Sequence, residues 1–238
     1  MREYPLYIES GPKHKKTMVH VLDLLGCIAQ GPTTEEALQA TPEAIRLFLG
    51  FLHRHGEKVK SEAEFKTKIA AHITEGAWIG QGDPTSGFEP DFQPLSEADL
   101  KVTLQHLGWM QDDFIQLIRD LPRKKMSAKP ETGRTIQEIA EHVSESHGVY
   151  LRYLTGKVDG LSEAMKAVRE EGPDALPATL SDLWQLTNAR LKILTARERA
   201  VQVPHGQVTW SARRCMRRML EHNWEHCQEI AKRLDRYL

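Results

Sequence analysis

One apolar stripe near the end of the chain limits its architecture more than any other stretch. Within Cys215-Met216-Arg217-Arg218-Met219-Leu220-Glu221-His222-Asn223-Trp224-Glu225-His226, and on to Ile230, the residues Cys215, Met219, His222, His226 and Ile230 follow at steps of four, three, four and four. That spacing makes one face of a helix turned into a protein interior. At about 3.6 residues per turn, His222 and His226 stand one above the other, so both imidazoles reach a single point. The pair is a two-armed clip for a metal ion.

Two side chains hold a divalent ion weakly, and the best third ligand lies far upstream. In Thr135-Ile136-Gln137-Glu138-Ile139-Ala140-Glu141-His142, the residues Ile139, His142, Ser146, Val149 and Tyr153 share a helix face, so His142 is also expected to look inward. Three neutral imidazoles with a further position open are the arrangement of a catalytic rather than a structural zinc site. The plainer alternative is a set of hydrogen-bonded core histidines. Imidazole donors suit zinc, nickel, iron and copper alike, so the metal is not fixed by the ligands.

Four further residues are candidates for a pocket around this point. His147 lies five residues after His142, about 140° around the helix, and shares the next seam with Val143, Tyr150 and Leu154. His106 belongs to an upstream helix. Cys215 is on the histidine stripe, where a small buried hydrophobe is the ordinary role for a cysteine. Arg218 closes the run Arg213, Arg214, Arg217, Arg218, which reads either as a solvated face or as a contact for substrate carboxylates or a partner subunit. Glu141, Glu145, Glu221 and Glu225 neighbour the histidines in sequence, a position suited to solvated surface or to a hydrogen bond onto an imidazole. No residue is assigned a catalytic role.

The 238 residues allow one large or two small domains, and two are expected. A net charge of −1 demands neither nucleic acid nor an anionic membrane as partner. No apolar run approaches the roughly 20 residues that span a bilayer, and the first residues lack a signal-peptide core, so a cytoplasmic protein with no membrane partner is expected. Cys27, Cys215 and Cys227 are too few and too scattered for a disulfide framework, which suits a reducing compartment.

Taken in order, residues 4–9 and 17–25 read as strands of a hairpin around Gly11 and Pro12. Thr33 and Glu36 form a capping-box pattern before a helix over about 34–55, which Pro42 is expected to kink or interrupt. Phe65 to Ile73 alternates as a strand with one wet face. Residues 1–75 therefore read as a small α+β domain of order βββαβ. Residues 76–96, dense in Gly and Pro, read as an irregular connector whose Trp78, Phe88 and Phe92 pack along the second domain. Residues 97–238 read as an all-α four-helix bundle, with long helices over about 97–121, 135–155, 179–199 and 211 to the end, a short one near 160–171, and a loop at 201–209.

Two resemblances add to this reading. Tyr4-Pro5, Ile8-Glu9, Val19-His20-Val21-Leu22-Asp23-Leu24-Leu25-Gly26-Cys27, Gln30-Gly31, Thr33, Glu35-Glu36-Ala37 and Glu43-Ala44-Ile45 resemble a HicB-like domain over about residues 1–60, with Leu22 and Leu25 standing where that family usually has prolines. It implies a fold more than an activity. Ile139-Ala140-Glu141-His142, Trp210-Ser211, Leu220-Glu221-His222-Asn223-Trp224-Glu225-His226 and Gln228-Glu229-Ile230 resemble the DinB/YfiT-like metalloenzymes over about residues 95–238. That resemblance implies a divalent metal, zinc or nickel, on His142, His222 and His226. It also implies a homodimer formed through the helices, and transfer of a low-molecular-weight thiol to an electrophile as the small-molecule chemistry.

Two rival readings stand beside this one. His222-Asn223-Trp224-Glu225-His226 fits the inverted zinc-protease pattern His-x-x-Glu-His, which needs an acidic third ligand many residues downstream. Alternatively the chain is a non-catalytic binding or regulatory module whose HicB-like domain contacts RNA or protein. Lys13, Lys15 and Lys16 are then the phosphate contacts, although three lysines on a turn are ordinary for a soluble protein.

Overall fold

The protein is described by a computed structural model covering residues 1–60, 62–76, 79–82 and 86–236. Its backbone separates into two compact units, Met1–Gln93 with Gln202–Arg217, and Pro94–Val201 with the chain from Arg218 on.

The first unit is built on a four-stranded sheet of order β3-β2-β1-β4. Strands β1 (Arg2–Ser10), β2 (Lys15–His20) and β3 (Ile28–Thr33) form an antiparallel meander, and β4 (Phe65–Ile73) returns to lie parallel to β1 at the sheet edge. The second strand is shorter than the predicted 17–25. After His20 the apolar residues stop alternating, and a 3₁₀ turn at Leu22–Leu24 takes over, held by Leu24 N–H to the Val21 carbonyl at 2.9 Å. Between β3 and β4, helix α1 (Thr34–Arg54) lies on β2 and β3 and buries Ala37, Ile45, Phe48, Phe51 and Leu52 on the sheet face that carries Leu6, Ile8 and Val19.

Thr33 caps α1 by accepting from Glu36 N–H at 3.2 Å, and its hydroxyl donates to the Glu36 carboxylate at 2.8 Å. The expected interruption at Pro42 does not occur, since the helix continues through it. The ring forfeits one hydrogen bond to the turn before it, and a helix whose apolar face is already buried tolerates that loss. Strand β4 also departs from its pattern. Leu6 pairs with Ile69 but Tyr7 with Ala71, so Ala70 is an extra residue, and positions 66–70 are exposed on both faces rather than one.

Of the connector aromatics, Trp78 lies outside the described residues. Phe88 is buried on Tyr7 and His20 of the sheet, with ring centroids 5.3 Å away in each case, where packing along the helices was expected. The segment 201–209, read as a loop, contains a hairpin of β5 (Gln202–His205) and β6 (Val208–Ser211), turning at Gly206 with φ 62°. Pro204 disguised it, because proline in a short run argues against a strand unless the strand is at an edge. The last helix, α8 (Ala212–Arg233), contributes its opening turns to this unit. Arg217 there grips Asp91 with two hydrogen bonds of 2.8 and 2.9 Å, and Arg214 donates to the carbonyls of Thr209 at 2.7 Å and Ser86 at 3.1 Å.

The second unit is mostly helical: α2 (Glu97–Ile118), α3 (Arg123–Met126), α4 (Ile136–Thr155), α5 (Leu161–Glu170), α6 (Leu176–Lys192), α7 (Ala196–Ala200) and the remainder of α8. Helix α6 packs against α2, α4 and α5 around Leu107, Phe114, Val143, Leu151, Leu180 and Leu183. The helix expected over 179–199 begins earlier, where Pro177 serves its first turn, and divides after Lys192. The division has a local cause: Thr195 and Glu198 form a capping box, so a new helix starts there. No helix among the described residues is long and apolar enough to cross a membrane.

Candidate metal centre

Thr135 starts α4 with a reciprocal capping box, accepting from Glu138 N–H at 3.0 Å while Thr135 N–H donates to the Glu138 carboxylate at 2.7 Å. That fixes the first turn and, two turns on, His142. The stripe buried by α4 runs through Ile139, Val143, His147, Tyr150 and Leu154, one seam away from the stripe read in the sequence. His142 therefore sits at the rim of the interior, half-buried, instead of in its middle. On α8, His222 and His226 are both buried.

The three imidazoles meet. One ligand atom from each of His142, His222 and His226 lies within 4.8 Å of the others, and no fourth His, Cys, Asp or Glu joins the group among the described residues. His142 Nε2 and His222 Nε2 are 3.0 Å apart, close to the roughly 3.3 Å between two nitrogens on one tetrahedral metal. Ring centroids are separated by 4.6 Å (142–222), 4.7 Å (222–226) and 5.4 Å (142–226), with planes 75° to 87° apart. Such edge-on rings converge their nitrogens without stacking.

Burial keeps two of the three imidazoles in the neutral form that a metal would need. Burial, helped by Arg134 and His226, lowers His142 to about 4. Burial, with His226 and His142 beside it, holds His222 well below the ordinary imidazole range. Both rings are then neutral near pH 7, with a lone pair to give. The residues present fit a divalent cation on donor chemistry and on spacing.

His226 is oriented from behind. Its Nδ1 is 2.8 Å from the Glu229 carboxylate, Glu229 is paired with Arg233, and Arg233 donates to the backbone carbonyl of Arg134. The hydrogen bond from His226 is the largest cause of the lowered Glu229 pKa. Glu229 was not singled out in the sequence, although its position three residues after His226, on the same helix face, is the signal that finds it.

The other candidates divide. His147 is fully buried one seam from the centre, with Nε2 2.7 Å from Asn223 Nδ2, and burial lowers it to about 4. His106 is buried and stacked on Trp109 at 5.4 Å. Cys215 is fully buried, its thiol pushed up to about 12 by burial, and it is not in the histidine group. Arg218 is buried against Glu221 at 2.9 Å, and Arg214 and Arg217 are buried too, so the arginine run is not the solvated face that one reading of the sequence made it. Glu221 is likewise no surface residue. Glu141 accepts from the Gln137 amide at 2.9 Å and Glu145 from Arg169 at 2.9 Å. Tyr150 places its ring 6.5 Å from that of His222.

The helical unit brings three histidines from two helices distant in sequence to one point, a donor set compatible with a divalent metal. The chain belongs to the DinB superfamily, whose family model matches residues 106–230. No curated protein and no solved structure matches it.

Proposed function

We propose that the chain is a metal-dependent enzyme in which His142, His222 and His226 hold a divalent cation, zinc or nickel, and that its substrate is a low-molecular-weight thiol transferred to an electrophile. When bound, such a cation supplies Lewis acidity that lowers the pKa of a thiol or water at neutral pH. The observation that carries this reading is the approach of the three ligand atoms to within 4.8 Å of one another. The chain's own part is positional. Glu229 holds the His226 ring through Nδ1, which leaves Nε2 for the cation, and half-buried His142 keeps one side of the centre open to a small molecule. In the same reading the helical unit is a DinB-type four-helix bundle acting as a homodimer, and the βββαβ order of the first unit is that of a HicB-like domain.

The test is metal analysis of the purified protein beside an assay of thiol consumption with several electrophiles, comparing wild type with His222→Ala. The variant is expected to lose bound metal and thiol-transfer activity together. Unchanged metal content in His222→Ala would overturn the ligand assignment.

A further inference from the structure

The break between α6 and α7 coincides with a cleft in the helical unit. Gln111 of α2 meets Asn188 of α6 at 2.7 Å, and one turn further on α6 stops at Lys192, because the capping box of Thr195 and Glu198 starts a new helix. There Lys192 and the first turns of α2 border an open space of about 750 Å³. Its floor is apolar, with buried Leu100 and part-buried Leu104 one turn apart on α2. Its rim carries the exposed ammonium groups of Lys101 and Lys192 and the exposed amide of Gln105.

The charges on this lining do not balance. Glu97 is its one acid, and Arg199 already faces that carboxylate at 3.9 Å. Lys101, Gln105 and Lys192 make no side-chain hydrogen bond or ion pair among the described residues. Val102 and Ile193, which follow the two lysines in the chain, are 46% and 68% exposed, so apolar surface continues past the lining. Single exposed apolar side chains are ordinary, whereas a concave apolar surface edged by a few polar groups is the form of a small-molecule site. No aromatic ring is on the lining, so a nucleobase has nothing to stack on, and a cation finds no unpaired acid. From Glu97 to Gln105 the lining extends about 12 Å along α2, room for a short alkyl chain.

We propose that this cleft binds a small amphipathic anion, a free carboxylate on an aliphatic chain, with Lys101, Lys192 and the Gln105 amide holding the head group and Leu100 and Leu104 the tail. The inference does not rest on the metal-centre reading, since none of the three histidines lines the cleft.

The experiment is an NMR titration of ¹⁵N-labelled full-length protein with octanoate, octanol and acetate, each below the concentration at which it aggregates. Octanoate is expected to move the backbone amides of residues 97–105 and 192–193, and to bind about tenfold or more tighter than octanol or acetate, because it alone meets both floor and rim. Lys101→Met and Lys192→Met keep the alkyl stem and remove the charge at exposed positions. Each should weaken octanoate by about three- to tenfold and leave octanol unchanged. Ala98→Trp, also at an exposed position on the lining, should fill the cleft and abolish the octanoate shifts. Octanoate shifts confined to other residues, equal binding of octanol or acetate, or octanoate affinity unchanged in both lysine variants would overturn the proposal. So would binding to phosphatidylserine vesicles without any response to octanoate. Sedimentation of a ligand-free wild-type dimer that Ala98→Trp converts to monomer would overturn it too, since a second copy of the chain would then be what covers the cleft.

Discussion

With Nδ1 of His226 bonded to Glu229 at 2.8 Å, the tautomer that faces a cation is set before any cation arrives. Glu229→Ala is accordingly expected to weaken metal affinity by about 10- to 100-fold in a chelator competition, with helix content by circular dichroism unchanged. Equal affinity would remove Glu229 from the centre. His147 bears on stability instead. Its folded-state pKa of about 4 lies below the ordinary value of 6.5, so the unfolded chain takes up a proton first as the pH falls. The sign follows: the contribution is complete above about pH 6.5 and lost progressively towards pH 4, up to about 3 kcal/mol. Denaturant titrations in chelator at several pH values should show a shallower acid loss in His147→Gln than in wild type. The convergence of His222 and His226 was legible in the sequence because i, i+4 spacing puts two side chains on one helix face. The inward stripe of α4 was misplaced by one seam, since Ser146 and Val149 suit a rim as well as Ser144 and Val143 suit a core.

Elements with a chemical start signal were the readable ones. Ser96, Thr135 and Thr33 all cap the helices their sequence patterns announced. What escaped were two features made by tertiary context, the hairpin over Gln202–Ser211 and the persistence of α1 past Pro42, and one local signal passed over, the capping box of Thr195 and Glu198 that starts a new helix at Ala196. At α4 the cap has a measurable share. Thr135→Ala should lower stability by about 1 kcal/mol in thermal or denaturant unfolding, because the Glu138 N–H loses the hydroxyl that caps it. A variant as stable as wild type would mean that packing alone fixes the start of α4.

For the molecule as a whole, the buried ion pair of the first unit is the point of greatest leverage. Arg217 and Asp91 are each 1% exposed and joined by two hydrogen bonds, and the Arg217 guanidinium also lies 5.4 Å over the Phe88 ring. Arg217→Leu leaves the Asp91 carboxylate buried without its cation, and a destabilisation of about 3–5 kcal/mol is expected in denaturant unfolding. A near-neutral effect would indicate that water reaches Asp91.

The pair joins residues 126 positions apart, on opposite sides of nearly all of the helical unit's sequence. The cation that answers Asp91 is supplied by α8, near the far end of the chain. A fragment ending at residue 93 is for this reason an unfinished object rather than a domain, and any attempt to graft the sheet elsewhere has to carry residues 202–217 with it.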